Sequence, residues 1–90
     1  ETLYGDESSF DIYQGAYYLV SGYFEKSFIE INFLADADDM REMVLEFDVG
    51  EDVPNIEWSG IRKWRNEPEI TPNKTYVVVV QNGLGVIGGF

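Results

Sequence analysis

The sequence predicts an all-β fold: a small antiparallel β-sandwich or barrel-like domain that closes on a C-terminal type I′ hairpin. Three observations carry this expectation. Aromatic residues make up 16% of the 90-residue chain and cluster with β-branched residues, a composition that suits pleated, half-buried surfaces. Apolar and polar residues alternate with period two in SFIEINFL and again in MVLEFDVG, as a strand with one buried face requires. Asn82-Gly83 separates two apolar runs near the end, and a type I′ turn needs positive φ at both central residues, which Asn-Gly tolerates.

Taken in order, FDIYQGAYYLVSGYF is aromatic and broken by Gly15 and Gly22, which reads as one or two short strands with turns. In SFIEINFL, Ile29, Ile31 and Phe33 face one way and Phe28, Glu30 and Asn32 the other. DADDMRE is the only place where a helical turn is plausible, with Asp36, Asp38 and Asp39 suited to capping or turning. In MVLEFDVG, Met43, Leu45, Phe47 and Val49 point inward, Val44, Glu46 and Asp48 outward, and Gly50 closes the strand. DVPNIEW and GIRKW are short extended pieces divided by Ser59-Gly60. NEPEITPN is a loop, since Pro68 and Pro72 remove ladder donors. KTYVVVVQ carries four successive valines, so it is expected to be a central strand or to lie against a second layer. LGVIGGF is the second arm of the hairpin, expected to pack Leu84, Val86 or Ile87, and Phe90 into the core.

Residues 1–90 form one domain, small enough that its core is marginal. There is no cysteine to staple it, so oligomerisation or attachment to a larger body is the expected source of added stability. The absence of a basic start, an apolar leader stretch or an initiator Met leads to the expectation that the chain is cut from something longer.

Net charge is −11 and unevenly spread: positions 1–60 hold 15 acidic residues against Lys26 and Arg41, whereas positions 61–90 hold Glu67 and Glu69 against Arg62, Lys63, Arg65 and Lys74. Such a balance opposes nucleic-acid binding, which needs phosphate neutralisation, and opposes docking on anionic membranes. No apolar run is long enough for a membrane-spanning helix. Solubility is the simple reading of the charge; an acidic face for a basic partner is the specific one.

Reactive chemistry is sparse. With neither histidine nor cysteine, the usual nucleophile–base pairings and zinc sites are absent. LGVIGGF is no dinucleotide fingerprint, because its glycines lie within a strand instead of opening a helix. Two carboxylates close together are expected by chance among 17 acidic residues, so glycosidase chemistry is not favoured, and no catalytic residue and no cofactor are assigned. Asp36, Asp38 and Asp39 are weak calcium candidates: they offer hard oxygen ligands but lack the glycine and distal Glu of an EF-hand loop. Trp58, Tyr17 and Tyr18 are the candidate ligand-binding residues, since exposed aromatics stack on sugars or anchor interfaces; core packing is the alternative for Trp58 and the favoured one for Trp64. The run Tyr13, Tyr17, Tyr18 and Tyr23 is too dense to be wholly buried and could be covered by a neighbouring subunit. Arg62-Lys63-Trp64-Arg65 reads as a strand edge protected by charge, or as the complement of an acidic surface on another copy.

The stretch from Arg41 to Phe90 resembles a C-terminal module of tail and tail-fibre proteins from bacteriophages and prophages of gut Firmicutes. The residues that carry the resemblance are EMVLEF-x-x-G (Glu42, Phe47, Gly50), IRKW, and ITPNKTYVVVVQNGLGVIGGF, with Asn73, Lys74, Tyr76, Asn82, Gly83 and Gly88 on the pattern. SFIEINF resembles the strand that often precedes it. The family-like part is thus 27–90, and 1–26 is poorly matched. The chain departs in the charged loop RNEPEI and in the acidic EDVPNIEW, where the module is glycine-bearing and Ser/Thr-rich. The resemblance implies a non-enzymatic virion structural or host-attachment domain of a receptor-binding protein. It implies a homotrimer, with a host surface glycan or protein as ligand, made in the host cytoplasm, and Phe90 as the native C-terminus. No functional residue comes with it. The alternatives are a purely structural trimerisation or capping domain and a carbohydrate-binding module of a secreted bacterial protein.

Overall fold

A computed structural model describes residues 1–36 and 41–90. These residues form nine strands: β1 (Thr2–Tyr4), β2 (Ser9–Tyr13), β3 (Tyr17–Ser21), β4 (Phe28–Leu34), β5 (Met43–Val49), β6 (Asn55–Ser59), β7 (Lys63–Trp64), β8 (Lys74–Gln81) and β9 (Leu84–Gly89). The described residues contain no helix, so the chain is mostly β. The helical turn considered for DADDMRE falls largely outside the described residues.

The strands form a six-stranded sheet of order β1-β3-β5-β8-β9-β7 and a three-stranded sheet of order β2-β4-β6. From β1 to β6 the chain crosses from one sheet to the other at every step. FDIY and YYLV are therefore two strands, β2 and β3, in different sheets, with Gly15 at φ +79° in the corner between them.

This winding corrects the antiparallel expectation. Among the described residues only β5-β8-β9 pair antiparallel. The pairs β1-β3, β3-β5, β2-β4, β4-β6 and β7-β9 are parallel. A parallel pair needs a crossover connection; for the pairs among β1 to β6 a strand of the opposite sheet supplies it where a helix usually would, and between β7 and β9 the intervening strand is β8 of the same sheet. Within β1 to β6, each strand therefore pairs with the strand one winding later, running the same way. Period-two patterning reports which face is buried and says nothing of the pairing partner.

The inward faces of the two sheets meet in one core. β2 contributes Phe10 and Ile12, β4 contributes Ile29, Ile31 and Phe33, β3 contributes Tyr18 and Val20, β5 contributes Met43, Leu45, Phe47 and Val49, and the hairpin contributes Tyr76, Val78, Val80 and Ile87. The faces assigned to SFIEINFL and MVLEFDVG are those observed. Phe47 sits at the centre, its ring 5.4 Å from Phe24, 5.7 Å from Tyr76 and 6.4 Å from Trp58. Apart from the hydroxyls of Tyr18 and Tyr76, no polar or charged side chain among the described residues is buried, and no buried side-chain nitrogen or oxygen among them lacks a hydrogen-bond partner, so the core carries little desolvation cost.

The hairpin forms as its turn chemistry requires. Asn82 has φ +53° and Gly83 φ +77°, and Gln81 pairs directly with Leu84 across the two-residue loop, the signature of a type I′ turn. Gly60 serves differently: at φ +87°, its absent Cβ would lie 1.9 Å from the Phe33 carbonyl oxygen, so no larger residue fits there. β8 is central, as expected, but only alternate valines are fully covered: Val78 and Val80 are buried, while Val77 and Val79 are half-exposed on the outer face.

Phe90 was expected in the core and is not. Its backbone continues the ladder through reciprocal N–H···O bonds with Thr75, at 2.9 and 3.0 Å, yet its side chain is 76% exposed. Leu84 and Val86 are likewise exposed, and Ile87 alone of the candidates faces inward. The two-residue turn sets Gly85 opposite Val80 and Ile87 opposite Val78, which sends Leu84, Val86, Gly88 and Phe90 to the other face.

Candidate interaction surface

The strand registers place the outward residues of the larger sheet in rows. One row runs Tyr17–Val44–Val79–Val86 and the next Leu19–Glu46–Val77–Gly88. A third runs Asp48–Thr75–Phe90, and a fourth Gln81–Leu84–Lys63. Tyr4 lies at the margin, opposite Ser21 on β1. This face is therefore apolar across four adjacent strands. Tyr4, Tyr17, Leu19, Leu84, Val86 and Phe90 are exposed on this face, with Glu46, Asp48, Thr75 and Gln81 among them, and clusters of exposed apolar residues are often functional.

The charges on this face are polarised. Glu46 and Asp48 lie on β5, each accepting a hydroxyl hydrogen bond from its neighbour, Tyr17 and Thr75 respectively. Lys63 and Arg62 lie at the opposite edge. There β7 is zipped to β9 through the Arg62 and Lys63 N–H groups donating to the Gly83 carbonyl at 2.7 and 3.1 Å, and Arg65 N–H to Gly85 at 2.8 Å. The Arg62 guanidinium donates to the Asn82 carbonyl at 3.0 Å. The basic run thus forms an edge strand guarded by charge, as one sequence reading had it. The bond to the Glu46 carboxylate, followed by burial and by the charge of Glu46, raises the Tyr17 pKa above its usual 10.0.

The outer face of the smaller sheet contrasts with it. Ser9, Glu30 and Glu57 lie in one row, and Asp11, Asn32 and Ser59 in the next. The Asn32 amide donates to Asp11 Oδ1 at 3.1 Å and to Ser9 Oγ at 3.3 Å. Two carboxylates directly opposite each other, Glu30 and Glu57, repel and favour a solvated face.

The structure does not gather the three predicted ligand-binding aromatics. Tyr17 is on the outer face of the larger sheet and 51% exposed; Tyr18, next to it, points inward and is 6% exposed, so its ring has no free face. Trp58 points inward from β6, stacked on Phe33 at 6.4 Å and meeting the edge of Trp64 at 5.2 Å. Trp58 and Trp64 are both half-buried against the core. Of the weak calcium candidates, Asp36 is exposed and its N–H donates to Gln14 Oε1 at 2.8 Å; Asp38 and Asp39 lie outside the described residues. No group of acidic residues placed to hold a metal occurs among the described residues.

Leu19, Leu84, Val86 and Phe90 are the surface residues that sequence reasoning assigned elsewhere or passed over. For Leu84, Val86 and Phe90 the signal lay in the register of the two-residue turn, and for Leu19 in the alternation of β3. A second feature is a polar depression of about 400 Å³ between the 65–73 loop and the hairpin, lined by Asn66, Glu67, Glu69, Thr71, Lys74 and Tyr76. Asn66 holds the loop down, its amide donating to the Ile87 carbonyl at 3.0 Å. No protein-family model, curated protein or solved structure matches the chain.

Proposed function

We propose that this chain is a non-enzymatic interaction module: a small β-sandwich of a bacteriophage tail or tail-fibre protein that assembles as a homotrimer and serves host attachment on the virion. The observation that carries the reading is the apolar outer face of the larger sheet, which a solitary domain would leave against water, set beside a smaller sheet whose outer face is polar. The motif resemblance from Arg41 to Phe90 supports the tail-protein assignment. Two measurements test it. Sedimentation equilibrium of the 90-residue chain should give a trimer, and the labelled chain should adsorb to bacterial envelope preparations. A monomer that adsorbs to nothing overturns the reading.

One observation favours a second reading. The polar depression offers carboxylates, an ammonium group, an amide and hydroxyls together, the mixture of donors and acceptors that sugar hydroxyls pair with. A monomer with glycan affinity would support a carbohydrate-binding module of a secreted bacterial protein, and a trimer with no ligand would support a purely structural cap.

A further inference from the structure

The depression between the 65–73 loop and the hairpin has a volume of about 400 Å³, within the range of small-molecule sites. Neutral groups hold its walls. Asn66 engages the Ile87 backbone in both directions: its amide donates to the Ile87 carbonyl at 3.0 Å, and its side-chain oxygen accepts from the Ile87 N–H at 3.4 Å. The Tyr76 hydroxyl accepts from the Thr71 N–H at 2.7 Å and meets Thr71 Oγ1 at 3.1 Å. The Asn73 N–H donates to the Gly50 carbonyl at 3.0 Å. The loop is thus tied down at three points, and the depression is formed before any ligand arrives.

Three charged side chains line the same depression: Glu67, Glu69 and Lys74. All three are exposed, and none makes a side-chain hydrogen bond or ion pair with another described residue. Two carboxylates and one ammonium therefore keep their hydrogen-bonding capacity open. No aromatic face joins them. The Tyr76 ring is 4% exposed; it stacks on Phe47 at 5.7 Å and lies against Gly89, where an added Cβ would be 2.7 Å from Tyr76 Cε1. A sugar ring has nothing to stack on here, so a ligand is held by charge-assisted hydrogen bonds.

We propose that this depression binds a glycan bearing a free amino group. The ammonium of the amino sugar sits against Glu67 and Glu69, and its hydroxyl oxygens accept from Lys74. The inference rests on the glycan reading of the depression given above and names the ligand class. Charge selects that class. A neutral sugar offers the carboxylates hydroxyl donors alone, whereas an amino sugar adds an ion pair; an acidic sugar meets two like charges. An α-amino acid matches both signs but lacks the hydroxyl-bearing ring.

The test is isothermal titration calorimetry of the full chain at about pH 6, where a free amine is charged, with circular dichroism as the check on folding. The probes are a linear tetramer of glucosamine and its fully N-acetylated counterpart, which keeps the rings and loses the charge. The glucosamine tetramer should bind at least about tenfold tighter than the acetylated one. Glu67→Gln and Glu69→Gln should each weaken its binding at least about fivefold. A chain of net charge −11 attracts any polycation, and two controls separate that effect from the site. Glu30→Gln and Glu57→Gln remove the same charge from the outer face of the smaller sheet and should leave affinity within about twofold. Lys74→Gln makes the chain more negative, so general attraction tightens binding, whereas loss of a site residue weakens it. Equal losses in all four Glu→Gln variants, or tighter binding by Lys74→Gln, overturn the site. Competition by alanine overturns the sugar class. Equal binding of the two tetramers overturns the amino group as the determinant while the glycan reading stands, and binding of neither overturns both.

Discussion

Phe47→Ala is the substitution that most directly asks whether the two sheets share one core. The Phe47 side chain is 0% exposed, and its ring contacts Phe24 and Tyr76 as well as Trp58 of the smaller sheet. Replacing a buried Phe by Ala costs about 3–5 kcal/mol, the transfer term plus the cavity left behind. Three aromatic neighbours, each pair worth about 0.5–1.5 kcal/mol beyond burial, place this site near the upper end, about 4–5 kcal/mol. A domain of 90 residues has a total stability of about 5–13 kcal/mol, so the substitution removes a large share. With a urea slope of about 1–1.5 kcal/mol/M for so small a domain, the midpoint should fall by about 3–5 M. The assay is equilibrium unfolding in urea followed by Trp fluorescence, at one fixed low protein concentration, since any association would add stability. Phe28→Ala is the control. Phe28 occupies the neighbouring sheet but faces solvent, and its loss should cost below about 1 kcal/mol. A Phe47→Ala effect below about 1 kcal/mol, or one no larger than that of Phe28→Ala, would refute the single shared core.

Other expectations follow from particular contacts. Gly60→Ala should destabilise by at least about 2 kcal/mol, since it strains φ and drives a Cβ into the Phe33 carbonyl; an unfolding midpoint equal to wild type would contradict the close approach. Phe90→Ala should change stability by less than about 0.5 kcal/mol because the side chain is exposed. Deleting residues 84–90 should instead abolish cooperative unfolding, since β9 pairs with both β8 and β7; a truncated chain that still melts cooperatively would remove the hairpin from the core. Tyr17 should titrate above 10.0 in absorbance at alkaline pH, and Glu46→Gln should return it toward the ordinary phenol value. With the folded-state pKa raised, this bond's contribution to stability is full below the unfolded value near 10 and is lost as pH rises through the folded one. An unchanged titration in Glu46→Gln would show that the carboxylate is not the cause.

The residues that defied expectation share a physical reason. Phe90, Leu84 and Val86 are apolar, and apolarity alone suggested burial. Roughly half or more of a folded surface is nonetheless apolar, and in a strand the register, not hydrophobicity, decides which residues face out. Trp58 and Tyr18 looked available as a platform because aromatics can serve either purpose. Which purpose each serves depends on whether its Cβ points into the space between the sheets, and that space is built by strands distant in sequence, such as β4, β5 and β8 around Trp58 and Phe47.

What the sequence by itself determined is therefore local. Period-two patterning set the inward faces of β4 and β5, because alternation is a property of the strand alone. Asn82-Gly83 set the hairpin and its register, because positive φ at two successive positions is a demand made within four residues. The basic run at Arg62–Arg65 announced a guarded edge. The tertiary structure alone decided the partnerships: that β1 to β6 wind between two sheets, so that neighbours lie parallel, and that the valines of β8, the leucine and valine of β9 and the tyrosine of β3 come into line on one outer face. Those alignments join residues dozens of positions apart, and no local signal encodes them.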